Sequence, residues 1–312
     1  MRVAAIDCGT NSIRLLIADV DVQARTFVEV TRQMRIVRLG EGVDRTGKFA
    51  PVAIDRTLEA VERYASEIAR YRPSALRFCA TSASRDASNR ELFFDGVESI
   101  LGTSAEVISG IEEAHLSFIG ATRELSLDQA PFLVVDIGGG STEFVYGTRD
   151  VEAAFSVNIG CVRMAERHFH TDPPSQSELD EARFDIDQAI TRARVTVPIT
   201  EAKTLVAVAG TATTVAAAAL NLPSYDPVLL HLSRTTMAQT QAVASMFARL
   251  DHAQRSLLPY LHPGRVDVIA AGALVLSRVL EATGAGEFVA SEHDILDGIA
   301  WGLAEGETHH GN

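Results

Sequence analysis

The sequence predicts an α/β protein built from two halves that share the same order of secondary structure. Each half begins with three short apolar strand patterns, and helix and strand patterns alternate after them. Each half also contains the same turn, in which a strand ends in aspartate and the chain passes through glycine and hydroxyl residues into the next strand. The two turns are AIDCGTNS (5–12) and VVDIGGGST (134–142). Duplication of this kind predicts two structurally equivalent domains.

Apolar runs predict short strands in the first half, and they cover residues 2–7, 13–20, 27–40, 75–81 and 105–109. Predicted helices alternate with the later strands, and they cover residues 55–71, 88–102 and 111–122. The first of these helices carries apolar residues along one face and stops before Pro73. Gly102 closes the second helix, as glycine often does at a helix C-terminus.

The second half repeats this order, with predicted strands at residues 132–138, 142–147, 151–160, 204–210 and 286–291. Its predicted helices cover residues 161–170, 177–194, 265–284 and 295–304. The spacing Ser177–x–x–Asp180 is typical of a helix N-terminal cap. The helix pattern at 265–284 is almost entirely apolar, which predicts that this helix is buried.

Composition and charge exclude several classes of protein. The chain has 46% hydrophobic and 22% charged residues, as in ordinary globular proteins, and it shows neither a leader pattern nor a long apolar stretch that predicts a membrane span. Its net charge of −13 argues against a general nucleic-acid-binding surface, although a local cleft can still bind an anion. Three widely separated cysteines indicate reduced thiols in the cytoplasm and no cysteine-based zinc site.

The two turns have the composition of a phosphate site that contains a metal ion. Asp7 and Asp136 each end a buried strand, where a carboxylate needs a partner. The neighbouring glycines leave backbone N–H groups accessible to an anion, and threonine and serine residues add hydroxyl donors. Carboxylates beside phosphate oxygens suit magnesium. Ordinary hairpin turns are the alternative, but the duplication favours two turns that face each other across an interdomain cleft.

A third segment, AVAGTATT (207–214), ends a strand in Gly210 and Thr211 before a helix pattern. A helix N-terminus at this position can bind another phosphate group. An ordinary strand-to-helix turn is the alternative here.

Motifs spread from residue 4 to residue 280 resemble one protein family. They are AIDCGTNSIRLLI, CATSASRDASN, VISGIEEAHLSFIGA, LVVDIGGGSTEFVYG, FSVNIGCVRMAE, AVAGTATTVAA and RVDVIAAGALVLSRVL. The chain resembles the exopolyphosphatase / guanosine pentaphosphate phosphohydrolase (Ppx/GppA) family, within the actin, Hsp70 and sugar kinase superfamily. The resemblance implies a duplicated ribonuclease H-like fold in a short two-domain form. The first domain would comprise residues 1–125 together with about 295–312, and the second domain residues 126–294.

The resemblance also implies roles for individual residues. Glu113 would be the general base, Arg85 would contact the phosphate that is cleaved, and Mg²⁺ (or Mn²⁺) would be the cofactor. Asp136 and Glu143 would be associated with the metal, with Asp7 reaching it through water. The implied phosphate-binding residues are Gly9, Thr10, Asn11, Ser12, Gly138, Gly139, Gly140, Ser141, Thr142, Gly210 and Thr211.

Adjacent residues of a helix point about 100° apart, so Glu112 and Glu113 are not expected to face the same site. His115 stands where the family frequently has arginine, which predicts the loss of a fixed positive charge next to the base. The helical C-terminal domains of larger family members have no counterpart in the chain, so short polyphosphates or a nucleotide are expected as better substrates. Arg32, Arg35 and Arg38 either line a polyanion path or form a solvated strand face.

The resemblance therefore implies an enzyme, an exopolyphosphatase that releases terminal orthophosphate from inorganic polyphosphate by metal-assisted attack of water. Guanosine pentaphosphate 5′-phosphohydrolase is the near alternative, and a weakly active or non-catalytic polyphosphate or nucleotide sensor is another. A sugar or acid kinase is disfavoured, because AAGALVL near Gly272 is a poor adenosine-binding glycine pair. The expected setting is a cytoplasmic homodimer of the stringent response, without nucleic-acid or membrane partners.

Overall fold

The computed structural model describes residues 1–306, which form two compact units. Unit 1 comprises Met1–Gly120 and the segment that begins at Ile295, and unit 2 comprises Ala121–Asp294. Each unit has its own sheet and its own hydrophobic core. The predicted extension of the first domain over 307–312, with His309 and His310, lies outside the described residues.

Unit 1 is organised around a five-stranded sheet with the order β3-β2-β1-β4-β5. The strands are β1 (Arg2–Cys8), β2 (Ser12–Asp21), β3 (Thr26–Ile36), β4 (Ala75–Ala80) and β5 (Glu106–Val107). β1, β2 and β3 form an antiparallel meander, whereas β4 and β5 run parallel to β1. The helices are α1 (Val43–Thr46), α2 (Pro51–Tyr71), α3 (Ser82–Asp86), α4 (Glu91–Leu101) and α5 (Gly110–Thr122).

Unit 2 contains a six-stranded sheet with the order β10-β11-β9-β6-β7-β8. The strands are β6 (Phe132–Ile137), β7 (Thr142–Gly147), β8 (Val151–Val157), β9 (Thr204–Val208), β10 (Arg234–Thr236) and β11 (Glu287–Ala290). The helices are α6 (Cys161–His168), α7 (Gln176–Thr196), α8 (Ala209–Ala219), α9 (Pro227–Leu230), α10 (Met237–Arg249), α11 (His252–Ser256) and α12 (Ile269–Thr283). The last helix, α13 (Ile295–Glu305), belongs to unit 1.

The two sheets share one topology. Read from β8 to β11, the second sheet has the strand order of the first sheet, with β10 as an additional strand at its edge. In both sheets the first two strands pair antiparallel, and the fourth runs parallel to the first. The repeat that the turn motifs predict is therefore present in the strand order and in the strand directions.

Several element boundaries differ from the sequence prediction for physical reasons. β3 ends at Ile36 rather than at 40, because Arg38 adopts a left-handed backbone with φ of 47°. Helix α7 is capped by Ser175 rather than Ser177, since Ser175 and Glu178 form a reciprocal capping box. The apolar helix α12 begins at Ile269, and the short strand β10 has no predicted counterpart.

Helix α13 packs closely on α5, the helix that carries the predicted base. At Gly298 of α13 an added Cβ would lie 2.0 Å from the carbonyl oxygen of Leu116, so only glycine allows this approach. Arg32 on β3 donates to the buried Asp297 at 2.6 Å and thereby links the sheet to α13.

Among residues 1–306, no helix combines the length and the hydropathy that a membrane span requires.

Candidate functional site

The turn between β1 and β2 in unit 1 presents backbone N–H groups to one side. Gly9 N donates to Ser12 O at 2.9 Å and closes the turn, and Asn11 O accepts from the N–H groups of Val37 and Arg38 at 3.0 and 2.9 Å. In a planar trans peptide, the C=O of one residue and the N–H of the next point in opposite directions. Because the carbonyl of Asn11 faces the segment after β3, the N–H of Ser12 points the other way.

The turn between β6 and β7 in unit 2 has the same closure, with Gly138 N donating to Ser141 O at 3.0 Å. Its carbonyls are occupied by the start of α6. Cys161 N donates to Gly138 O at 2.9 Å, Val162 N donates to Gly139 O at 2.9 Å, and the Arg163 side chain donates to Gly140 O at 2.8 Å. By the same peptide geometry, the N–H groups of residues 139, 140 and 141 point away from α6. Three successive N–H groups on one side form an anion-binding concavity.

Gly160, just before α6, is required by this arrangement. An added Cβ would lie 2.3 Å from the carbonyl carbon of Gly139 and 2.4 Å from Gly140 N, so the loop would have to move. We expect Gly160→Ala to destabilise the protein by about 1–3 kcal/mol through overpacking and to weaken phosphate release. Thermal unfolding and a phosphate-release assay would measure both effects. Gly286→Ala is the matched control, because an added Cβ there meets nothing within 4 Å, and equal losses in both variants would contradict the expectation.

The acidic residues of the two turns are in different settings. In unit 2, Asp136 lies directly opposite Glu143 in the antiparallel pair, both side chains are buried, and Ser156 Oγ donates to Glu143 Oε1 at 2.6 Å. In unit 1, the equivalent partner of Asp7 is Arg14, which donates to Asp7 Oδ2 through Nε and Nη2 at 3.0 and 2.7 Å. Only the turn of unit 2 therefore pairs two carboxylates at this register position, whereas Asp7 is neutralised by an arginine.

The donor set of unit 2 fits magnesium. Asp136 and Glu143 supply hard carboxylate oxygens on the same face of the sheet, and the glycine turn between them directs N–H groups to one side. A divalent cation would offset two negative charges that are buried close together.

Helix α5 separates its two adjacent glutamates. The Oγ of Ser109 accepts from Glu112 N at 3.1 Å and caps the helix. The Glu112 carboxylate accepts from Arg77 at 2.5 Å and is half-buried, whereas the buried Glu113 accepts from Arg85 Nη1 at 2.7 Å. Of the two adjacent glutamates, only Glu113 therefore pairs with Arg85.

The environment of Glu113 raises the pKa of its carboxyl above the ordinary value. Burial raises the pKa of the Glu113 carboxyl, the charge and hydrogen bond of Arg85 oppose this, and the nearby Asp7 raises it further. A smaller lowering comes from a hydrogen bond with Thr81. The net pKa lies above the ordinary value of 4.5. Unit 1 therefore brings Asp7, Arg85 and Glu113 together, and it adds Thr81, which sequence reasoning did not identify.

The structure places two of the basic side chains that the sequence analysis considered. His115 is exposed and lies two residues after Glu113 on α5, about 200° around the helix, and the effect of the missing arginine charge on the base stays a prediction. Arg32 forms ion pairs with Glu29 and Asp297 within unit 1, and a polyanion path along Arg32, Arg35 and Arg38 stays one of the two alternatives.

The third predicted phosphate segment lies at the start of α8, which begins with Ala209 in a left-handed conformation (φ 66°). The Arg265 guanidinium lies directly on Gly210, since an added Cβ would approach its Cζ to 2.0 Å, and Nη1 donates to Gly210 O at 3.2 Å. A cation at a helix N-terminus opposes the helix dipole unless an anion is bound there. Phosphate binding at Gly210 and Thr211 stays a prediction. The segment HPGR (262–265) contains no sequence pattern that predicts a contact between Arg265 and Gly210.

The family model, the curated relative and the solved structures all place the chain near the same group of proteins. The family model of the Ppx/GppA phosphatase family matches residues 16–304. The chain is 49% identical to exopolyphosphatase 2 of Mycobacterium tuberculosis, over 97% of this chain and 98% of the relative. A solved exopolyphosphatase-like protein is 46% identical, with a TM-score of 0.93 over 98% of this chain and 99% of that chain. The Ppx/GppA enzyme of Aquifex aeolicus is 29% identical, with a TM-score of 0.80 over 96% and 98%.

These neighbours confirm the predicted fold class, a duplicated ribonuclease H-like α/β fold. The similarity to these neighbours does not assign roles to individual residues. Within unit 1 the structure brings together Asp7, Arg85 and Glu113, and within unit 2 it brings together Asp136, Glu143 and the glycine turn. Their catalytic and binding roles stay predictions.

Proposed function

The chain belongs to the Ppx/GppA phosphatase family, and we propose that it is an exopolyphosphatase that releases terminal orthophosphate from inorganic polyphosphate. The observation that carries this proposal is the buried Glu113 paired with Arg85 at 2.7 Å, in a chain whose curated relative at 49% identity is named exopolyphosphatase 2. A buried carboxylate with a raised pKa, held by an arginine, suits general-base hydrolysis of a phosphoric anhydride.

Glu113 would accept the proton of a water molecule that attacks the terminal phosphorus. The new bond forms between the water oxygen and phosphorus, the bridging P–O bond breaks, and the shortened chain leaves with its oxygen. Arg85 orients the carboxylate through Nη1, which also donates to Ile108 O at 3.0 Å. A guanidinium has five N–H donors, so Arg85 can hold Glu113 and still donate to an equatorial phosphoryl oxygen.

Each glycine turn would bind phosphate oxygens through its own N–H groups, because negative charge on such oxygens is met by donors fixed in position before the reaction. In unit 2 these donors are the N–H groups of residues 139–141, and in unit 1 the N–H of Ser12 has the equivalent orientation. Asp136 and Glu143 would hold Mg²⁺, which neutralises phosphate charge when it is bound. Asp7 already has Arg14 as a partner, so we propose that its role towards the metal is indirect.

A malachite-green assay on the purified protein with magnesium tests the proposed function. Its substrates are short polyphosphate, long polyphosphate, guanosine pentaphosphate and ATP. We expect phosphate release from polyphosphate and loss of release when EDTA removes the metal, and the two chain lengths measure the chain-length preference. Release from guanosine pentaphosphate alone would support the alternative nucleotide phosphohydrolase. Tight polyphosphate binding without any release would support the sensor.

The predicted homodimer, the cytoplasmic location and the role in the stringent response stay predictions. Size-exclusion chromatography with light scattering would measure the oligomeric state directly, independently of the activity assay.

A further inference from the structure

A cluster of potential metal ligands lies in unit 2, apart from the residues assigned above. Glu124 follows α5, His231 directly follows α9, and His293 lies between β11 and α13. One ligand atom from each side chain lies within 4.8 Å of the others. His231 Nε2 is 3.0 Å from Glu124 Oε2, and His293 Nδ1 is 3.5 Å from Glu124 Oε1. The two imidazole rings lie with their centroids 4.4 Å apart.

These distances match the coordination sphere of zinc. Zinc binds histidine nitrogen and carboxylate oxygen at about 2.0–2.2 Å, so two ligands of a tetrahedral ion lie about 3.3 Å apart. The two carboxylate–histidine separations, 3.0 Å from one Glu124 oxygen and 3.5 Å from the other, lie on either side of this value, and the three ligand atoms lie within 4.8 Å of one another. Rotation of these side chains would bring one atom from each to a common ion. The ligands, two imidazoles and one carboxylate, are those that zinc uses in three-ligand sites.

We propose that Glu124, His231 and His293 bind a Zn²⁺ ion, with water as the fourth ligand. The Glu124 side chain is 53% exposed and the two histidines are half-buried, so the site is accessible from solvent. The ligand set differs from the carboxylate-only set of Asp136 and Glu143, which suits magnesium. Borderline-soft imidazole selects zinc over magnesium, so the two sites would bind different ions.

The ring of His231 has to change its proton position for this. The backbone N–H of Glu292 donates to His231 Nδ1 at 3.3 Å, so in the neutral ring the proton is on Nε2, where it meets Glu124. With zinc on Nε2 this proton would move to Nδ1 by exchange with water. The Nδ1–H would then face the N–H of Glu292, so the ring would have to turn and give up the long hydrogen bond from Glu292.

The position of the site in the chain gives it a structural consequence. Unit 2 comprises Ala121–Asp294, so Glu124 lies near its first residue and His293 lies next to its last. A bound ion would cross-link the first and last segments of unit 2 through the loop that carries His231. We therefore expect zinc to raise the thermal unfolding midpoint, because a ligand that binds only the folded state stabilises it.

Isothermal titration calorimetry with ZnCl₂ on the full-length protein tests the proposal. We expect saturable binding at this site, and at least about tenfold weaker binding in each of the variants Glu124→Gln, His231→Ala and His293→Gln. We also expect zinc to raise the unfolding midpoint of the wild type but not of these variants. Circular dichroism of the zinc-free proteins shows whether each variant is folded. If one variant does not fold, the zinc affinities of the other two test the proposal.

Two matched controls distinguish this site from other histidines. His168 pairs with Asp185 at 3.2 Å and belongs to no three-ligand cluster among residues 1–306, so His168→Ala should leave zinc binding unchanged. The double variant His309→Ala/His310→Ala should also leave it unchanged. The absence of saturable zinc binding, or binding that survives all three cluster substitutions and is lost in the tail variant, would overturn the proposal. In that case the cluster is only a hydrogen-bonded carboxylate–histidine pair.

Discussion

Replacing Glu113 by glutamine is expected to lower kcat for phosphate release by about 10²–10⁴-fold, which is the usual contribution of a general base. Glutamine has the same shape but accepts no proton at neutral pH, so polyphosphate affinity should change little. Steady-state phosphate release gives kcat, and equilibrium binding of polyphosphate to the variant gives the affinity. The two measurements together separate a chemical role from a binding role.

The adjacent glutamate provides the control for this prediction. Glu112 lies on the same turn of α5, but its carboxylate pairs with Arg77 at 2.5 Å, away from Arg85. Glu112→Gln should therefore retain nearly all activity. Equal losses in the two variants would indicate that both substitutions act through the stability of α5, and unchanged turnover in Glu113→Gln would refute the assignment of the base.

The second large effect is expected for Arg85→Gln, which should lower kcat/KM by about 10³-fold. Two consequences combine in this variant. The phosphoryl oxygens lose a charged donor, and the buried Glu113 loses the cation that keeps its pKa from rising further. The base is then protonated at higher pH than in the wild type, so less of the enzyme is active at a given pH near this pKa.

Arg70→Gln is the matched control, because Arg70 also lies in unit 1 but is exposed on α2, where it pairs with Glu67 at 4.0 Å. It should retain wild-type kcat/KM. Kinetics of both variants, with unfolding midpoints to show that they are folded, measure the difference. A wild-type rate in Arg85→Gln would show that the arginine has only a structural role.

Sequence reasoning predicted most of the fold because its signals are local. The strand patterns and the repeated aspartate–glycine turns lie within short segments, and they predicted the duplicated order that the two sheets have. The boundary errors arose where tertiary contacts outweigh the local pattern. β3, for example, ends early because the N–H groups of Val37 and Arg38 donate to Asn11 rather than to a neighbouring strand.

The candidate site was predicted less completely, because its electrostatics depend on contacts between distant residues. The motifs indicated Asp7, but nothing in the turn itself indicated that Arg14 would neutralise it. Arg265 lies on Gly210 although 55 residues separate them in sequence. The cluster of Glu124, His231 and His293 has no sequence signature, since its ligands come from three separate loops.

The pH dependence of kcat/KM for polyphosphate tests the central claim, that the ionisation of Glu113 controls turnover. A general base is active when it is deprotonated, so activity should be present above the Glu113 pKa and should be lost as the pH falls through it. We predict a wild-type acidic limb with an apparent pKa above 4.5, a limb displaced to higher pH in Arg85→Gln, and no such limb in the residual activity of Glu113→Gln. An acidic limb that remains unchanged in Glu113→Gln would contradict the assignment.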